Sequence, residues 1–213
     1  MLFSMEIRDI LIILPLLLMS LSIHEYAHAR VSTALGDPTP GIQGRLTLNP
    51  MAHLTPIGTL LLLVAGFGWA KPVIIDMRYY KKPNLGLVLT SLAGPMANFA
   101  VAVLLLLLLK ALLVLPLSNT PLMSSLLVVL QQAASVNLLL FIFNILPIPP
   151  LDGSRLVNAV LLHKRPDLSI PYNRYGAYLL IFVIFTDRFL PVDIFPLGRW
   201  TAGLFNSLAE TIL

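Results

Sequence analysis

The sequence predicts an all-α polytopic membrane protein, and three observations carry that reading. Of its 213 residues, 57% are hydrophobic and 11% charged, where a soluble domain carries about 25% charge. Mean hydropathy is +0.87. Three apolar stretches, Ile10–Ala34, Leu85–Leu109 and Leu122–Leu146, are each ~25 residues or ~37 Å as helix, enough to cross a bilayer. The expected architecture is a three-helix core (spans near 10–34, 85–109 and 122–146), a re-entrant or short β-hairpin element between the first two spans, and one or two further C-terminal helices. Residues 1–213 are expected to form a single integral-membrane domain.

The first span, Ile10–Ala34, begins like the apolar core of a signal peptide but runs on through His24, Glu25 and His28. Cleavage near Ala34 would discard these polar residues, so the segment is expected to be retained. Ile57–Ala70 is shorter and carries Gly58, Gly66 and Gly68 after Pro56, which favours re-entry over crossing. Leu85–Leu109 and Leu122–Leu146 are apolar almost throughout. A fourth span is expected near Tyr175–Phe185, interrupted by Asp187 and Arg188.

Charge placement orients these elements. If Ile57–Ala70 does not cross, residues 35–86 and 147–174 share one side. That side carries nine basic residues: Arg45, Lys71, Arg78, Lys81, Lys82, Arg155, Lys164, Arg165 and Arg174. Arg8 and Lys110 are left opposite. The positive-inside rule makes the nine-residue side cytoplasmic. The net charge of +4 reflects such loops, and no nucleic-acid partner is expected.

The chemistry is concentrated in His24-Glu25-Tyr26-Ala27-His28. Histidines four apart project from one helix face, so both imidazoles can bind one Zn²⁺, and the adjacent Glu25 can act as general base. Ionisable side chains at membrane depth cost roughly 2–3 kcal/mol each, so such a cluster reads as functional; the bland alternative is a polar patch between helices. No cysteine is present, which restricts a transition-metal site to His and carboxylate ligands. The other imidazoles are His53 and His163. His53 is a substitute ligand or, more simply, an interfacial side chain.

Asp152 is the leading carboxylate candidate. It follows Pro147, Pro149 and Pro150, which cannot continue a helix, and unwound backbone at membrane depth must be buried or line a cavity. An N-cap or a plain Asp-Gly turn is the competing reading.

Taken together, His24-Glu25-Tyr26-Ala27-His28 and Asn144-Ile-Leu-Pro147-Ile-Pro149-Pro150-Leu151-Asp152-Gly153 resemble the site-2 protease family of intramembrane zinc metalloproteases. Gly94-Pro95-Met96-Ala97-Asn98 matches that family's Gly-Pro-x-x-Asn element. The stretches Gly44–Pro50 and Gly68–Val73 look like those of its short bacterial members. The resemblance covers roughly residues 20–165. It implies one Zn²⁺ per chain held by His24, His28 and Asp152, catalysis by Glu25, and a cleft-facing Asn144 that binds substrate or the oxyanion. Implied partners are transmembrane protein substrates and the bilayer, with the active site toward the cytoplasmic side of the cell membrane. The family's short members carry Asp in the His-x-Asp-Pro element, where this chain has Thr55. A membrane metal transporter using the same His and Asp cluster is the alternative, and Glu25 discriminates: hydrolysis needs a carboxylate that is not a ligand. Three secondary readings complete the picture. Asn98 makes an interhelical hydrogen bond, Gly94-Pro95 permits close helix approach, and Arg45–Leu48 forms a short strand suited to an extended peptide.

Overall fold

In the computed structural model, residues 7–55, 58, 71–114, 120–162, 164–189 and 194–213 are described. Helix α1 spans Ile7–Ala34; two short helices, α2 (Thr39–Ile42) and α3 (Pro50–His53), follow it. Helices α4 (Pro83–Leu113) and α5 (Pro121–Ile145) come next. Then come α6 (Asp152–Val157), a π-turn at Asn158–Leu162, α7 (Pro166–Phe189) and α8 (Leu197–Ile212). Four helical segments are long and apolar enough to cross a membrane: Ile10–Ala34, Pro83–Leu113, Pro121–Ile145 and Asp167–Thr186. This is a multi-pass membrane protein.

Local sequence explains the helix ends. Pro83 and Pro121 occupy first helical turns, where a missing N–H costs nothing. Thr120 caps α5 by accepting the Met123 N–H, and Asn49 caps α3 through the Met51 N–H. Helices α1, α4 and α5 pack pairwise against one another. Helix α8 closes the far side, where Leu106, Leu109 and Ala134 form a buried cluster with Phe205 and Leu208 against it. Many large apolar side chains, including Leu104, Leu122, Ile181 and Phe182, face outward, as lipid contact requires.

Two expectations change and a third lies outside the described residues. Among the described residues no strand pair is present; Arg45–Leu48 forms bends rather than a strand. The Arg45 N–H bonds to Pro40 O and the Arg45 guanidinium to Ala52 O, so this loop satisfies itself and presents no strand edge. The expected re-entrant or hairpin element at Ile57–Ala70 lies outside the described residues, apart from Gly58. The fourth span starts earlier than Tyr175 and takes in Arg174. Its polar first turns find partners: Tyr172 OH donates to Pro147 O at 2.8 Å, and Asn173 and Ser169 bond Asn158. Gly176 makes that docking possible, because a Cβ there would overlap Pro149.

Candidate metal centre

His24 and His28 project from one face of the C-terminal half of α1, as their spacing dictates. Both are 4% exposed, and Asp152, the first residue of α6, is 7% exposed. His24 Nε2 and His28 Nε2 each lie 3.0 Å from Asp152 Oδ2 and 3.0 Å from each other. Three potential ligand atoms thus form a nearly equilateral triangle.

The protons decide what that triangle can hold. His28 Nδ1 sits 2.6 Å from Thr90 O, a carbonyl that can only accept, so Nδ1 carries the hydrogen. His24 Nδ1 lies 2.7 Å from Asn98 Oδ1. The Asn98 amide is fixed by its other end, since Nδ2 donates to Ser20 O at 3.1 Å and to Asn137 Oδ1 at 2.9 Å. With Nδ1 carrying the hydrogen on both rings, each neutral imidazole can offer its Nε2 lone pair to a cation shared with Asp152 Oδ2. A tetrahedral ion with ligands at ~2.0 Å needs them ~3.3 Å apart, so the observed spacing fits after an outward shift of a few tenths of an ångström. Among the described residues, this is the group of His and acidic side chains that can hold a metal ion.

The helices that carry the site leave no room for a side chain at two glycines. A Cβ on Gly94 of α4 would overlap His28 Nε2 and lie 2.6 Å from His24 Nε2. A Cβ on Gly153 would overlap Ile145 O and Leu146 O, so glycine lets α6 tuck under the end of α5 and carry Asp152 to α1.

Glu25 stands apart from the triangle. It is partly exposed, and its Oε2 accepts the Val73 N–H at 3.2 Å. Val73 belongs to a segment without helix or strand, Lys71–Asp76, pinned from two sides. The Gln43 side-chain amide pairs with both the N–H and C=O of Ile74, and Asp37 accepts the Asp76 N–H at 2.8 Å. Buried Asp37 also accepts Thr39 N–H and Ser32 Oγ. Burial alone would raise its carboxyl pKa, but these hydrogen bonds outweigh it and hold the group below its usual range. Ser32 and Tyr80 continue the chain to Thr90 Oγ1, whose carbonyl orients His28.

These geometries can be matched against known proteins. Two relatives carry the name Putative zinc metalloprotease. YwhC of Bacillus subtilis (strain 168) is 42% identical over 205 residues, covering 92% of this chain and 87% of the relative. Rip2 of Mycobacterium tuberculosis (strain Erdman) is 31% identical over 193 residues, covering 88% and 71%. The family profile Peptidase family M50 matches residues 117–186. The chain belongs to this family, the site-2 proteases. No solved structure gives a significant match.

Within this M50 chain, the structure brings together His24, His28 and Asp152, with Glu25 beside them. His53 is not part of the group. It is 1% exposed, with Nε2 2.8 Å from Thr47 O, so it braces its own loop; His163 is outside the described residues. Asn144 is half-buried, and its Nδ2 donates to Leu140 O on its own helix. Sequence reasoning read Asn98 only as an interhelical bond and missed Thr90, Asn137 and Ser20 as its partners in orienting the histidines. A polar residue within a span is the signal that could have found them.

Proposed function

We propose that this chain is an intramembrane zinc metalloprotease that hydrolyses peptide bonds within or near transmembrane segments of other membrane proteins. The observation that carries this reading is the triangle of His24 Nε2, His28 Nε2 and Asp152 Oδ2, 3.0 Å on each side, with the carboxylate of Glu25 outside it. Membership of peptidase family M50 and the zinc named in its relatives support it. His24, His28 and Asp152 would hold one Zn²⁺, which when bound polarises a carbonyl and acidifies water.

The chain's own residues do the rest. Glu25, held by the Val73 N–H, takes the proton of the attacking water and returns it to the departing amine. Asn98 and Thr90 keep each imidazole in the tautomer that offers Nε2. The side chain of Asn144 has one amide hydrogen on Leu140 O and a second for the substrate carbonyl. Substrate must reach the site unwound, and the non-helical segment Lys71–Asp76 beside Glu25 replaces the Arg45–Leu48 loop as the backbone that receives it. Arg45, Lys71, Arg78, Lys81, Lys82 and Arg155, in the segments that follow α1 and α5, support a cytoplasmic-facing active site.

The test is reconstituted protein with a fluorogenic transmembrane peptide and a zinc-flux dye. Glu25→Gln should keep zinc and lose 10²–10⁴-fold in cleavage, whereas His24→Ala, His28→Ala or Asp152→Ala should lose the metal. Zinc flux without cleavage, equal in wild type and Glu25→Gln, would overturn the assignment in favour of transport.

A further inference from the structure

Beside the metal centre lies a groove of about 620 Å³, lined by Pro72–Arg78, Leu87 and Arg155. Both of its walls touch the site. The Val73 N–H holds Glu25 Oε2, and Arg155 Nη1 is 3.7 Å from Asp152 Oδ1. A polypeptide leaving the reacting centre along this groove therefore stays in contact with the machinery that would cut it. The lining is largely apolar, through Pro72, Val73, Ile74, Ile75, Met77 and Leu87, and its electrostatics are uneven. Arg78 is engaged by Asp76 through contacts of 2.6 to 3.0 Å, so that pair is neutral. Arg155 is different. Its side chain is one-third exposed, 3.7 Å is too long for a hydrogen bond, and the Oδ2 of its acidic neighbour faces the two imidazoles. Among the described lining residues, Arg155 is the cation whose guanidinium is held only by this longer ion pair and not by a hydrogen bond to its acidic neighbour.

We infer that Arg155 is a specificity residue that reads an acidic side chain of the substrate in this groove. The inference rests on the proteolytic reading above. An extended chain advances ~3.3 Å per residue, so a guanidinium this close to Asp152 meets a side chain two or three residues from the scissile bond. A carboxylate there completes a fork-shaped charge-assisted pair, alanine leaves the guanidinium to water, and lysine is repelled.

The experiment is a panel of reconstituted transmembrane peptides with Glu, Ala or Lys placed singly at the second and third positions on each side of the cleaved bond. Wild type should prefer Glu over Ala by ~10-fold in kcat/KM at one of these positions, with Lys worst. Arg155→Glu should invert the order to favour Lys, and Arg155→Gln should bring the Glu-to-Ala ratio to about one. The ratio is measured within each variant, so it is independent of how much protein folds, and zinc content is measured alongside. A wild type that cuts all peptides equally, or an Arg155→Glu variant that slows every peptide by the same factor, would overturn the inference and leave the protease standing. Cleavage of no peptide by wild type would overturn both.

Discussion

Replacing Asn98 by leucine, a side chain of similar size, tests how the metal centre is built. Asn98 is fully buried and makes three hydrogen bonds. Its Oδ1 accepts from His24 Nδ1, and its Nδ2 donates to Ser20 O and Asn137 Oδ1. The first bond concerns the metal: without it the His24 ring is free to rotate or to place its proton on Nε2. Losing such a supporting partner costs 10–100-fold in metal affinity, or ~1.4–2.7 kcal/mol. The other two bonds concern helix packing, and at ~0.6 kcal/mol each within a membrane protein they sum to ~1 kcal/mol. The metal effect should therefore dominate. The assay is a zinc competition titration against a chromophoric chelator in detergent, with thermal unfolding of the zinc-free protein followed by tryptophan fluorescence. A zinc Kd within twofold of wild type, with lowered stability alone, would refute the orienting role and leave Asn98 a plain interhelical bond.

Two further outcomes follow from the same structure. Gly94→Ala should abolish or sharply weaken zinc binding while membrane insertion persists, because its Cβ would overlap His28 Nε2 and crowd His24 Nε2; metal analysis of the purified variant checks this, and wild-type occupancy would contradict it. Asp37 has a lowered carboxyl pKa, so its stabilising contribution is full above the ordinary value of ~3.9 and disappears as pH falls through the lower folded value. The melting-temperature gap between wild type and Asp37→Asn should accordingly be constant from about pH 7 to 5 and shrink below about pH 4; a gap that widens on acidification would contradict the sign.

The sequence alone determined the spans near 10–34, 85–109 and 122–146, because crossing a bilayer depends on hydrophobicity summed along one segment and needs no knowledge of neighbours. It also determined that His24 and His28 share a face, because the helical repeat fixes that locally. Asp152 was legible as a candidate through the prolines before it, though an N-cap reading competed until Gly153 was seen to tuck α6 under α5. The tertiary structure decided everything that depends on which atom faces which. Nothing in the local sequence says that Thr90 O and Asn98 Oδ1 accept from the Nδ1 atoms and turn both Nε2 atoms toward Asp152, since those partners lie 62 and 74 residues away. Helix α7 begins at Pro166 because Ser169, Tyr172 and Asn173 find partners on the Asp152 loop, which offsets their low hydropathy. Arg45–Leu48 has an extended pattern but folds back on Pro40 and Ala52, and a strand needs a partner that this loop does not meet. Hydropathy and helical spacing are properties of a segment; tautomer, close approach and backbone pairing belong to contacts between segments, and only the packed helices supply them.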